Sequence, residues 1–442
     1  MRIVIDAALI PGRSGGVEQA TRRMIQALGR LSSGASPDEY VIVTHPDAPN
    51  WLDDVAGPNQ RIQAAPRTEM PSDAGVSRVP RRRPPLWRFL PESLLSRGRA
   101  ARLALTPARR FGIGSMARPN RFIESFRPDV VYYPLSCEVS SSVRGVVTMH
   151  DLQHRYYPEN FNKVARWRRD TVWPHSCLEA AAVVAVSHCT KKDLVRFYRI
   201  PNEKIHVVHH GATQLTLGKD SVERLLEPFG VPPAFALYPA QTWPHKNHIR
   251  LLRALARLRD IDGLEIPVVC AGRLNEHWPE IARELHKHRL EEQVRFIGYV
   301  TEPVLAALYS RARFLVYPSL FEGAGLPVIE AFASELPVAC SRIPPLIECG
   351  GDAILDFDPM SPQRIAEAMK RLWSDDNVRV SIARKGVRRA AQFTWESSAS
   401  RLRALLRACA GATLSSEDRL ALRPLDDAAA CHLARQNDCA AT

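Results

Sequence analysis

Two carboxylates, Glu322 and Glu330, bracket the glycines Gly323 and Gly325 in the stretch FLVYPSLFEGAGLPVIEAFA, from Phe314 to Ala333. The apolar run Phe314 to Tyr317 predicts a short buried strand. Pro327 suits the first position of a helix that follows. Glycines beside a helix N-terminus expose backbone N–H groups and the positive helix end to an anion such as a phosphate. Carboxylates on either side can accept hydrogen bonds from hydroxyls. Together they outline a site for a phosphorylated, hydroxyl-rich ligand. The same residues also fit a solvated helix start and an ordinary turn, so other parts of the chain must decide.

Two further groups sit where strands should end. MRIVIDA reads as a strand, PGRSGGVEQ as a loop, and VEQATRRMIQAL as an amphipathic helix with Val17, Met24, Ile25 and Leu28 on its apolar side. Gly15 and Gly16 precede that helix, where glycine lets a ligand approach the backbone closely. The G-x-G-x-x-G fingerprint of dinucleotide sites is absent, and a plain βα turn fits as well. VRGVVTMHD, residues 143–151, reads as a buried strand ending in His150 and Asp151. An isolated histidine is commonly structural, but polar residues just past a strand's carboxyl end are where open α/β sheets bind ligands.

The elements that must hold these groups alternate regularly. Strands are expected at 39–45, at Val130 to Tyr133, at the start of 180–198, where Ser187 or Thr190 then caps a helix, and at 204–212, ending in a Gly turn. Residues 213–233 are polar, charged and proline-bearing, and read as an interdomain linker. The rhythm then restarts with FALYPA, IPVVCAG and QVRFIGYV, each followed by a helix, and continues with a strand from Pro337; Thr301 and Ser361 are expected caps. Alternation of this kind predicts parallel sheets. The expected organisation is a first α/β domain at 1–212, a second at 234–392, a helix at 393–410 returning to the first, and a weakly ordered tail at 411–442. The candidate site residues then face the cleft between the domains, a favoured place for ligands.

Composition narrows the class. The 442 residues are 45% apolar and 24% charged, which is ordinary for a globular protein. No apolar run approaches the roughly 18 residues that span a bilayer, and MRIVIDAALIPG, interrupted by Asp6, reads as a first strand rather than a signal peptide. The nine cysteines are scattered without metal-ligand spacing and read as free thiols of a reducing compartment. The net charge of +13 suits nucleic acid, anionic lipid or a phosphorylated substrate, yet no nucleic-acid motif is evident. Residues 66–121 interrupt the α/β rhythm with 13 arginines against Glu69, Asp73 and Glu92. LWRFLPESLLSRGRAARLAL reads as one or two basic amphipathic helices. They suit either contact with an anionic membrane surface or a solvated basic face, with residues 81–110 the expected contact.

Five segments in order resemble glycosyltransferase family 4: the Gly15-Gly16 loop, TMHD at 148–151, VSHCTKKDL at 187–195, WPHKN at 243–247 and FEGAGLPVIEA at 321–331. The resemblance spans roughly residues 1–408, apart from the basic insert, and its most telling part is the pair Glu322 and Glu330. It implies the GT-B fold, with two Rossmann-like domains facing across a cleft. It also implies retaining transfer from a nucleoside-diphosphate sugar to a glycan or lipid-linked acceptor in cell-surface polysaccharide synthesis. The resemblance assigns Glu322 to the donor sugar and Glu330 to the nucleotide ribose. The amides around Gly323, Ala324, Gly325 and Leu326 would face the sugar and diphosphate, which Lys246 would neutralise. Gly15 and Gly16 would let the first domain touch the donor, and His150 would hydrogen-bond the transferred sugar. The implied catalytic group is His150, Lys246 and Glu322. Family members usually carry an arginine five residues before the lysine; here Gln241 takes its place, and Arg273, after the next strand, is the candidate substitute. The YPAQ and WPHKN wording resembles bacterial mannosyltransferase-like members and favours GDP-mannose, with UDP-sugars also open.

No D-x-D motif stands beside a strand, so the sequence does not call for a metal, and no cofactor beyond the sugar donor is expected. The expected location is cytoplasmic and peripheral on the inner face of the plasma membrane. Two other readings compete. One is a nucleotide-sugar epimerase or hydrolase of the same fold, and the other is a non-catalytic basic protein that binds membrane or nucleic acid.

Overall fold

The computed structural model describes residues 1–12, 15–31, 38–67, 120–135, 142–213 and 217–423. The basic segment at 81–110 and the last residues, 424–442, lie outside that set. In the first half, strand β1 (Arg2–Ala7) leads into helix α1 (Gly16–Leu31), followed by β2 (Glu39–Thr44), β3 (Gln60–Ala64), β4 (Val130–Tyr133) and β5 (Gly145–Met149). Helix α2 (Lys163–Glu179), β6 (Ala182–Ala185), helix α3 (His188–Asp193) and β7 (Ile205–Val207) complete it. All the strands pair in parallel, in the order β3-β2-β1-β4-β5-β6-β7.

The second half repeats the plan: β8 (Ala236–Pro239), α4 (His248–Asp262), β9 (Val268–Ala271), β10 (Val294–Phe296), α5 (Glu302–Arg311) and β11 (Phe314–Tyr317). It continues through α6 (Leu326–Ala333), β12 (Val338–Ser341), α7 (Pro344–Gly350), β13 (Ile354–Phe357), α8 (Pro362–Ser374) and α9 (Asp376–Ala390). Its parallel sheet runs β10-β9-β8-β11-β12-β13. In both sheets the chain winds outward from the first strand and returns to that strand's other side. The strand order therefore reverses between β1 and β4, and again between β8 and β11. Loops leaving the carboxyl ends of strands at such a reversal splay apart and form the ligand crevice of doubly wound sheets. The Gly15-Gly16 loop follows β1, the WPHKN loop follows β8, and the Glu322 loop follows β11.

The central strands are largely apolar because both faces of each sheet are covered there, while the edge strand β3, QRIQA, is polar and partly exposed. Alternate residues of β1 show this: Ile3 and Ile5 pack towards α1 on one face, and Val4 packs with Val131 and Val147 on the other. Helix α10 (Trp395–Ala410) returns to the first half, burying Trp395, Ala399, Leu402, Leu405 and Leu406 against the α1 side of its sheet. Thr394 caps it by accepting from the Ser397 amide, and Ala212 bridges to Thr394, so both interdomain crossings run side by side.

Two expectations about the connections are corrected. Inside the linker placed at 213–233, residues Lys219–Leu226 form a helix whose Val222 and Leu226 join the second core. Its amphipathic spacing is hidden in a short, mostly polar stretch. The tail begins with an ordered helix, α11 (Ser416–Ala421), closed by a capping box between Ser415 and Asp418. Asp418 is buried and accepts from Arg407 Nη1 at 3.0 Å.

Candidate functional site

Lys246 is placed by backbone geometry. The chain leaves β8, makes one tight turn over Pro244–Lys246, and enters α4 through Asn247 at φ +63. Asparagine tolerates that left-handed conformation. Its buried amide nitrogen also donates to the carbonyls of Pro318 and Pro359, both at 2.9 Å, pinning the turn to the loop after β11. The Lys246 ammonium then donates to Glu322 Oε1 at 2.6 Å and to the Tyr317 hydroxyl at 2.9 Å, and lies 5.3 Å from the Tyr317 ring centre. Burial is the largest single influence and would raise the Glu322 carboxyl's pKa, but the Lys246 charge, together with His245 and the hydrogen bonds from Lys246 and Ser319, holds the group below the usual range.

Glu330 has the opposite environment. It points from α6 towards α5, where the Tyr309 hydroxyl donates to its Oε2 at 2.9 Å. Burial dominates and pushes its pKa up to about 7, against smaller opposing effects of Tyr309 and Arg23. Gly325, at φ +91, is the left-handed residue that turns the loop into α6. Leu326 opens that helix.

The loop between these carboxylates is docked on the first half. A Cβ at Gly323 would lie 2.0 Å from the His150 carbonyl oxygen, so only glycine allows this approach. The Gly323 carbonyl accepts from Ser187 Oγ at 2.7 Å, and Ala324 lines a small cavity behind it. Ser187 also caps α3 through the Thr190 amide. His150 donates from Nε2 to the Pro134 carbonyl at 2.7 Å. A carbonyl can only accept, so Nε2 carries the proton and Nδ1 is an acceptor nitrogen. Burial lowers the pKa of His150 and keeps the ring neutral near pH 7.

The β1 loop faces Gln241 and Arg273. A Cβ at Gly15 would lie 2.6 Å from Gln241 Nε2, and one at Gly12 would lie 3.2 Å from Arg273 Nη2. Gln241 Oε1 accepts from Trp243 Nε1 at 3.1 Å and Asn275 Nδ2 at 3.2 Å, which orients its amide. Gly16 has open space where a Cβ would stand. The structure thus groups Lys246 with Glu322, Gln241 and Arg273 with the β1 loop, and Gly323 with His150. Glu330 stands one helical segment further along. Sequence reasoning missed Tyr309 and Tyr317, whose hydroxyls fix the two carboxylates, and Asp6, whose carboxyl at the end of β1 is pushed up to about 6 by burial. The available signal was a tyrosine in an apolar run, since a buried phenol must find a polar partner.

Comparison with known proteins agrees with this architecture half by half. The model described as Glycosyltransferase Family 4 matches residues 88–213, and that described as Glycosyl transferases group 1 matches residues 227–389. The chain belongs to glycosyltransferase family 4. This family 4 chain is 29% identical over 263 residues to the O-antigen chain mannosyltransferase B of Escherichia coli, covering 58% of the chain and 68% of that relative. It is 28% identical over 228 residues to the O-antigen chain mannosyltransferase RfbU of Salmonella typhimurium, covering 51% of the chain and 60% of that protein. Among solved structures, Anabaena HepE in complex with UDP and glucose superimposes with a TM-score of 0.65 at 15% identity, over 92% of this chain and all (100%) of that one. WaaG, a glycosyltransferase involved in lipopolysaccharide biosynthesis, gives 0.62 at 13% identity over 92% and 99%. Two parallel-sheet Rossmann-like domains make this the GT-B fold.

Proposed function

We propose that this glycosyltransferase moves a hexosyl group, with mannose favoured, from a nucleoside-diphosphate sugar to a glycan or lipid-linked acceptor in polysaccharide synthesis. The observation that carries the reading is the cation held at the crevice: Lys246, fixed by Glu322 and Tyr317 beside the reversal point of the second sheet. In this reading the ammonium meets the diphosphate, whose developing negative charge is the main electrostatic demand of the transfer. Glu322, ionised, accepts from hydroxyls of the donor sugar. Glu330 accepts from the ribose hydroxyls, and neutral His150 accepts from the sugar through Nδ1. Arg273 and the Gln241 amide supply the remaining polar contacts to the diphosphate from the rim nearest the β1 loop.

Retention follows if the acceptor oxygen bonds to the anomeric carbon on the face from which the diphosphate departs. The bond to the leaving oxygen breaks, and the acceptor's proton passes to the departing phosphate. No protein nucleophile is then required. The first curated relatives are named as O-antigen mannosyltransferases, which supports mannose and a cell-surface polysaccharide.

Peripheral attachment to an anionic membrane gains support from α2. Val164 and Trp167 are 62% and 56% exposed there, with the exposed Lys163 beside Val164 and the exposed Arg166 and Arg168 on either side of Trp167. An exposed apolar pair flanked by basic side chains suits a headgroup boundary. No helix among the described residues is long and apolar enough to cross a membrane.

A thermal-shift panel of nucleotide sugars tests the donor, since a ligand that binds only the folded state raises its apparent stability. GDP-mannose should give the largest shift. With the donor so identified, Lys246→Ala should lower transfer at least tenfold, about 1.4 kcal/mol of transition-state stabilisation. Unchanged turnover in the folded variant overturns the role of Lys246.

A further inference from the structure

One cluster of metal-ligating side chains among the described residues lies outside the donor crevice. His188 opens α3, His209 follows β7, and Glu348 comes from α7 of the other domain; their ligating atoms all lie within 4.8 Å of one another. His209 Nε2 is 2.9 Å from Glu348 Oε1. The Glu348 side chain is buried, and its carboxylate is held in place by the backbone amides of His188 at 2.8 Å and Cys189 at 3.1 Å. The Cys189 thiol also lies against that carboxylate. A cavity of about 10 Å³ adjoins His209, Glu348 and Ser187, which is the room of one water or one bare ion.

We propose that His188, His209 and Glu348 form a site for a divalent transition-metal ion of the zinc type, clasping the two domains together. Two imidazoles and a carboxylate are a ligand set that zinc accepts, with a fourth position open to Cys189 or water. Tetrahedral zinc with bonds of about 2.1 Å separates its ligands by roughly 3.4 Å, so the His209–Glu348 spacing needs only a small adjustment. The ion replaces the proton that His209 Nε2 otherwise shares with Glu348. The amides that hold Glu348 then serve as the outer support that metal-binding carboxylates usually have.

The ligands come from both domains, so the ion binds the closed arrangement and not the open one. A ligand with that preference shifts the population towards closure. Zinc should therefore slow turnover by opposing the reopening that product release needs. The site stands whether or not the assigned donor chemistry is correct, because its first readout is binding.

The full chain, stripped with a chelator, is titrated with zinc chloride by calorimetry and with cobalt(II) by absorbance. One ion per chain and a tetrahedral cobalt spectrum are expected. His188→Gln and His209→Gln should each weaken zinc at least tenfold, and the double variant should abolish the cobalt spectrum while keeping the native circular dichroism. Solution scattering should show zinc reducing the radius of gyration of the native chain and not of the double variant. Binding that persists in the double variant, or the absence of stoichiometric binding by the native chain, overturns the proposal.

Discussion

At the residue scale, the two carboxylates are set apart by their neighbours. Glu322 has an ammonium at 2.6 Å and stays ionised; Glu330 has a phenol at 2.9 Å and titrates near neutrality. If ionised Glu330 accepts the ribose hydroxyls, donor affinity should fall as pH drops through about 7. Folding should respond with the opposite sign. The folded-state pKa of about 7 lies above the ordinary glutamate value of 4.5, so this group's contribution to stability is complete below 4.5 and is lost as pH rises through 7. Donor titrations and melting curves between pH 5 and 8.5 check both trends, and Glu330→Gln should flatten each relative to the native chain. Tyr309→Phe removes a hydrogen bond that favours the ionised form, so it should move the affinity profile to higher pH.

Both glutamates and their glycines stood out in the sequence because their types and spacing are local, whereas Lys246 entered only through the WPHKN motif of the resemblance. Tyr309 and Tyr317 did not stand out, because a tyrosine inside an apolar helix or strand looks like core until its hydroxyl's partner is seen. Glu348 was hidden for another reason. It sits in the apolar run PPLIECGG, and its partners His188 and His209 lie far away in the chain.

At the element scale, the central strands were readable because doubly covered parallel strands are continuous apolar runs, whereas the edge strand β3, QRIQA, is polar and half exposed and was not read. The return of the last helix was readable in outline. Its partner surface, the α1 face of the first sheet, could not be read because it depends on where Gly211 and Thr394 bring the crossings together. Leu402 on α10 is fully buried in that surface, at 0% exposure. Leu402→Ala should cost about 2–5 kcal/mol of stability, seen as a lower denaturation midpoint in the first domain. The Glu322 loop makes a sharper prediction. At Gly323 even a methyl group meets the His150 backbone at 2.0 Å, and a backbone atom cannot swing aside as a side chain can. Gly323→Ala should push the loop back from the first half, lowering transfer at least tenfold, about 1.4 kcal/mol. Both sheets should remain folded. Steady-state kinetics beside a melting curve separates this from general destabilisation.

At the scale of the whole molecule, the described residues of the two domains meet through polar contacts and a small aromatic cluster, in which Phe321 packs against Tyr156 and Tyr157. Ser187 holds the Gly323 carbonyl, Glu348 holds the start of α3, and Arg23 of α1 pairs with Glu302 at the start of α5. Such an interface can open without exposing a core, as an enzyme that admits a bulky donor and releases its product requires. Arg23 has two parts in it. Its side chain is only 13% exposed at its pair with Glu302, so removing one partner leaves the other charge partly desolvated and unpaired. Its charge also favours the ionised form of Glu330 across the crevice. Arg23→Ala should therefore enlarge the radius of gyration in solution scattering. It should also weaken donor binding and move the pH dependence of that binding upward. A variant that opened the domains but left the pH profile in place would confine Arg23 to the latch. A shifted profile without opening would confine it to the electrostatics of Glu330. Both changes are expected together, because one guanidinium, at one position on α1, acts on both acids of the second domain.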